Sequence, residues 1–157
     1  MANARTDGAE GGVERIVEFL GCDALTDRTI STLLDAHAVI GTGLPLASLL
    51  SFWTNSQQWP ARKFWKKVIG ITLRTLQHRA RQRASSRLSR EQSGRLYQAA
   101  NIVALGVDVF GSERAMRFLQ EPAMALNRIR PIDLLATPAG VALVQRHLAR
   151  MSRGVYT

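Results

Sequence analysis

Cysteine is almost absent. Cys22 is the one cysteine in 157 residues, which excludes an internal disulfide framework and any zinc site built on paired cysteines. With no Cys/His/Asn companion pattern it reads as a small, partly buried residue. His37, His78 and His147 stand far apart, without paired ligand spacing, so neither metal binding nor acid–base catalysis is expected of them. Gly41-Thr42-Gly43 lacks the Lys-Ser/Thr that would complete a phosphate loop. No nucleophile–base pair supports an enzyme, and no catalytic residue, metal or cofactor is expected. Long apolar runs are missing too: none approaches the roughly 20 residues that span a bilayer. Met1–Gly12 is polar and glycine-rich, has no signal-peptide core, and reads as a disordered tail. The expected location is cytoplasmic, with no membrane partner. Period-two alternation is scarce, so the chain reads as all-α.

Acidic residues are nearly missing from the middle of the chain. Between Arg62 and Arg95 stand eleven Arg and Lys residues against Glu91 alone, while the rest of the chain is close to balanced, so this segment holds the whole +9 excess. A localised basic stretch points to phosphate binding; the plainer alternative is a solvated face kept soluble by charge.

The helices follow from apolar spacing. Val13, Ile16, Val17 and Leu20 form the first stripe, stopped by Gly21. Asp27 or Thr29 can open a second helix carrying Ile30, Leu33, Leu34 and Ala38, closed by Gly41 and Gly43. Pro45 starts a third, with Leu46, Leu49, Leu50 and Trp53. Pro60 opens a fourth through Phe64, Trp65, Val68 and Ile69. Trp53, Trp59 and Trp65 are expected to pack in the core, a dimer surface being the alternative. Gly70-Ile71-Thr72 makes a short turn before Leu73–Arg81, and helix, glycine turn and Thr-capped helix predict a helix-turn-helix over 60–81. In its second helix Arg74, Gln77, His78 and Arg81 fall at i, i+3, i+4 and i+7, on one face. Arg reads guanine and Gln reads adenine in a major groove. Thr72, at the start of that helix, is a further candidate DNA contact, and Arg79, Arg83 and Arg87 suit phosphate contacts.

Residues 13–88 thus form a helical region containing this motif, and 89–157 a second unit. Ser89 with Gln92 makes a capping box for a helix bearing Leu96, Ala100, Val103 and Val107, ending near Val109. Gly111 breaks it, and Ser112 caps a short helix with Ala115, Met116 and Leu119. Glu121–Ile129 is an irregular link. Pro131 and Pro138 each fit the first position of a helix, and Thr137 is a good N-cap. Val141, Leu143, Val144, Leu148 and Met151 form the last stripe. Arg146, Arg150, Arg153 and His147 lie late in that helix, where cations favour the dipole, and Gly154 stops it. Asp133 is explained by its place in a first turn. Val155 and Tyr156 extend an apolar tail suited to an interface, or to covering the domain's own core.

The order Val109-Phe110-Gly111-Ser112, Arg117-Phe118-Leu119, Pro122, Ala125-Leu126, the run Arg130-Pro131-Ile132-Asp133-Leu134-Leu135-Ala136-Thr137, Gly140 and the closing Gly154-Val155-Tyr156 resembles the toxin-binding domain of Xre/MbcA/ParS-type antitoxins. The resemblance covers roughly the last third of the chain, and the upstream segment resembles the family's Xre-like helix-turn-helix. Where the family usually has glycines before the Arg-Pro step, this chain has Asn127-Arg128-Ile129, and Asn tolerates the left-handed conformation such a turn needs. The resemblance implies a type II antitoxin that inhibits a RES-type, NAD-consuming toxin and represses its own operon as a homodimer bound to operator DNA. Arg130, Pro131, Asp133, Leu134, Arg146, Arg150, Arg153, Gly154, Val155 and Tyr156 are the candidate toxin contacts. The other expectation is a stand-alone DNA-binding regulator whose C-terminal unit only dimerises.

Overall fold

Val13, Ile16, Val17 and Leu20, the stripe of the first predicted helix, are all buried along α1 (Glu10–Leu20). The computed structural model describes residues 10–21, 29–56, 64–82 and 86–154. Expectations for residues 1–9 and for Cys22, Asp27, Trp59, Pro60, Arg62, Lys63, Arg83, Val155 and Tyr156 fall outside that range. Gly21 ends α1 with φ 59°, the left-handed stop open to glycine.

The second helix begins later than Asp27 or Thr29. Thr32 caps α2 (Leu33–Thr42) by accepting from the Asp35 amide, and Asp35 returns a bond to the Thr32 amide. The face turned inward also differs from the predicted stripe: Ala36 and Val39 are buried, whereas Leu33 and Leu34 are 57% and 76% exposed. α3 (Leu46–Asn55) begins after Pro45 as expected, with Leu46 and Leu49 buried, but Phe52 is fully buried and Leu50 is exposed.

The three-residue turn forms as the sequence indicates, but the element before it is a π-helical turn, Trp65–Ile69. The amides of Gly70 and Ile71 both donate to the Trp65 carbonyl, at 2.8 and 3.1 Å. Gly70 takes φ 82°, Ile71 is buried, and Thr72 caps α4 (Leu73–Arg81) by accepting from the Thr75 amide. Trp65 is buried edge-on to Phe52 and Phe64 and lies 5.5 Å from the half-buried Trp53 ring. These two tryptophans are core packing.

The loop between α2 and α3 is laced to residues 86–88, which follow α4. Leu88 N–H donates to Leu44 C=O at 2.8 Å, and Leu46 N–H to Ser86 C=O at 2.9 Å. The Leu44 amide donates to the buried Ser93 hydroxyl at 2.8 Å. An added Cβ on Gly43, at φ 91°, would sit 2.4 Å from the Leu88 oxygen, so only glycine fits.

The Ser89–Gln92 capping box forms as read and opens α5 (Arg90–Phe110). The buried set on α5 is wider than one stripe: Leu96, Ala99, Ala100, Ile102, Val103, Ala104 and Gly106 are all enclosed. A helix apolar on more than one face lies inside the protein. It packs against α1 on one side and against α6 (Ser112–Gln120) and the last helix on the other. Asp108 on α5 pairs with Arg15 on α1. Gly111, not Ser112, is the N-cap of α6, with no side-chain capping bond. A 3₁₀ turn (Met124–Leu126), α7 (Pro131–Leu134) and α8 (Pro138–Ser152) complete the chain. One cluster of buried apolar side chains runs from Val13 through α5 to Leu148, so residues on both sides of Ser89 share a core. Among the described residues there is no strand, only isolated bridges at Pro45–Arg87 and Ala123–Ile129. The fold is all-α.

Ser93→Ala tests the lacing. It leaves the buried Leu44 N–H without its acceptor, and an unsatisfied buried donor costs about 1–3 kcal/mol. Urea unfolding is expected to show that loss with an unchanged slope.

Candidate functional site

Two surfaces carry the candidate residues. On α4, Arg74, Gln77, His78 and Arg81 are all exposed along one face, with Thr72 exposed at its start and Arg79 partly covered. His78 Nε2 lies 3.3 Å from the Gln82 amide nitrogen. Arg87 stands apart from this face. Its Nη1 donates to the Gly43 carbonyl at 2.9 Å, so the guanidinium is engaged in holding the laced loops.

The second surface is the corner made by α7 and α8. Pro131 opens α7 and Pro138 opens α8, both in the first turn. Thr137 accepts from the Gly140 amide at 3.0 Å. The corner is tight because Gly140 has no side chain: a Cβ there would lie 1.8 Å from the Leu134 carbonyl oxygen. Pro131, Ile132 and Leu135 are buried, and Leu134 is half-buried. These residues shape the corner from beneath, with Arg130 exposed at the start of α7, while Arg146, Arg150, Arg153 and Gly154 lie exposed further along α8 and at its end.

Asp133 does more than occupy a first turn. Arg130 Nε donates to its Oδ2 at 2.8 Å and Arg130 Nη2 to its Oδ1 at 3.2 Å, a forked contact. Lys67, on the π-helical turn, reaches the same carboxylate at 3.3 Å. The Arg130 hydrogen bonds, aided by Lys67, hold the Asp133 carboxyl below its ordinary range, and Asp133 in turn raises the Arg130 guanidinium. Lys67 therefore ties the segment preceding α4 to the corner. It was read from sequence only as part of the charge excess, and no local signal marks a partner 66 residues away.

Two expectations about α8 change. Leu143, placed in the apolar stripe, is 47% exposed and shares its face with Arg146 and Arg150. His147 is not a dipole partner for the helix end. It stacks on Phe118 with ring centroids 5.7 Å apart, and burial, then Arg150, lowers its pKa from the ordinary 6.5. Met124, exposed in the link before Arg130, was missed because that link shows no periodicity.

Residues 105–154 match the family described as the antitoxin Xre/MbcA/ParS C-terminal toxin-binding domain. Over 85 residues, 54% of the chain, the sequence is 32% identical to the antitoxin Xre of Pseudomonas putida. The aligned stretch spans about half of that relative's length, 52%. The family segment opens at Leu105, inside α5, so the helix serves both the domain and what precedes it.

Gly140→Ala is expected to push α7 off α8. No flexible side chain can give way, because the obstacle is the Leu134 backbone, so the loss should reach about 3 kcal/mol or more, read by thermal or urea unfolding. His147 sets a pH dependence. Its folded pKa is depressed, so its contribution is present above the unfolded value near 6.5 and is lost as pH falls below it. His147→Phe, which keeps a ring on Phe118, is expected to flatten the fall in Tm between pH 7.5 and 5.5.

Proposed function

We propose that the protein is the antitoxin of a toxin–antitoxin pair, acting by binding and not by catalysis. Its C-terminal domain binds a toxin of the RES type and denies NAD access to the toxin's cleft. The match of residues 105–154 to a toxin-binding domain carries this reading. The block is steric: Arg130 is exposed at the N-cap of α7, and Arg146 and Arg150 are exposed on α8, and a preformed surface binds without first paying to order itself.

The segment from Trp65 to Arg81 acts as a helix-turn-helix, with α4 entering the major groove of operator DNA. The exposed alignment of Arg74, Gln77, His78 and Arg81 and the lack of acidic residues around them support it. Two copies act together, because one short helix makes few phosphate contacts and two-fold symmetry doubles them. Autoregulation follows when the operator lies upstream of the protein's own gene.

The two activities separate by substitution. Arg74→Ala with Arg81→Ala is expected to abolish operator discrimination in a gel shift yet leave cells protected from the toxin. Operator binding by the wild type is expected to weaken steeply between about 50 and 200 mM salt as condensed counterions cease to be released. Loss of toxin protection in the double variant, or absence of any gel shift at low salt, contradicts the division of labour. Dimerisation through residues 105–154 with no toxin affinity contradicts the antitoxin reading itself.

A further inference from the structure

The seven residues Ala123–Ile129 close on themselves. Ala123 and Ile129 face each other in an antiparallel bridge, with Ala123 N–H donating to Ile129 C=O at 3.3 Å. The amides of Leu126 and Arg128 both donate back to the Ala123 carbonyl, at 3.0 and 2.9 Å. Asn127 N–H donates to Met124 C=O and Ile129 N–H to Leu126 C=O. Leu126 is buried and pins the turn to the core, and the turn packs against α8. A turn satisfied from within and anchored beneath is rigid before anything binds it.

The outward side chains of Met124 and Ile129 add nothing to that backbone closure. Met124 is 76% exposed and Ile129 is 40% exposed. Methionine's pliable thioether suits irregular partner surfaces. The backbone carries a second sign. Asn127 and Arg128 take φ 56° and 60° in succession, and they are the non-glycine residues of positive φ among those described. Asn visits this region readily; Arg does so under strain. Glycine at 128 would close the same turn without strain, so what arginine adds is its cation. Arg128 is exposed and forms no ion pair among the described residues, while Arg130 is held by Asp133. Strained residues of this kind gather at functional surfaces.

We propose that Ala123–Ile129 is a preformed docking knob for the toxin, resting on the toxin-binding reading above. Met124 and Ile129 enter an apolar socket on the toxin, and Arg128 answers carboxylates at the socket's edge. The apolar crown disfavours a nucleic acid, whose outer surface is phosphate. A second copy of the chain is disfavoured by symmetry: an isologous contact across this knob would set Arg128 near its own equivalent.

The test uses the full chain and the purified toxin encoded by the reading frame beside its own gene, with affinity measured by calorimetry and stability by thermal unfolding. Met124→Asp is expected to weaken binding by about 30-fold or more with Tm unchanged, since the side chain is exposed. Arg128→Gly is expected to move the two readouts in opposite directions. Tm rises by about 2 °C as the left-handed strain is relieved, while toxin affinity falls by about 3- to 10-fold and loses part of its salt dependence. A destabilised fold cannot mimic that pair of signs. If the wild type binds and both variants bind within about two-fold of it, the knob is not the contact and the proposal is overturned. If Met124→Asp instead dissolves a homodimer in sedimentation and leaves toxin affinity intact, the knob belongs to a second copy and the proposal is again overturned. If the wild type itself does not bind the toxin, the toxin reading falls and takes the proposal with it.

Discussion

Everything in this protein leans on the burial of α5. At 21 residues it runs about 31 Å, and its small residues, Ala99, Ala100, Ala104 and Gly106, let neighbours approach from more than one side. α1 covers one flank with Val13, Ile16, Val17 and Leu20, and α8 covers another with Val141, Val144 and Leu148. Each of those side chains contributes about 1.5–3 kcal/mol when fully buried, far more than any exposed ion pair in the molecule. The family segment begins inside this helix. A fragment cut at Ser89 would therefore bare the flank that α1 covers, and point substitutions in the full chain separate the two surfaces more cleanly than truncation.

On that spine the two surfaces differ in kind. The α4 face is short of acid and offers long, mobile cations, which suits phosphate and base edges. The α7–α8 corner is tight, with Gly140 against the Leu134 carbonyl and Asp133 gripping Arg130, which suits a shaped protein partner. Lys67 on Asp133 is a polar side-chain tie between the regions. Being exposed, it orients the corner more than it holds it.

What could be read in advance was local. Thr72, Ser89 with Gln92, and Thr137 before Pro138 each form their caps as the sequence indicates, because a cap depends on residues within one turn. The same chemistry at Thr32 and Asp35 was there to be read, but Asp27 and Thr29 offered competing starts. Leu33, Leu34, Leu50 and Leu143 illustrate a different limit. Apolar spacing says which side of a helix is greasy, not how much of it a neighbour covers. Asp133 with Lys67, and the Leu44 amide on Ser93, join residues far apart in sequence, so no local pattern announces them. At Asn127 the left-handed geometry was legible from residue type; at Arg128 it was not, because arginine rarely adopts it.

The corner and the basic face are held to be separate working surfaces of one folded unit. Hydrogen–deuterium exchange of the full chain, with and without the purified toxin, tests this most directly. The expected result is slowed exchange confined to 123–154 on toxin binding, with the amides of Leu73–Arg81 unchanged. Protection centred on Leu73–Arg81, or none across 123–154 in a complex known to have formed, would contradict it.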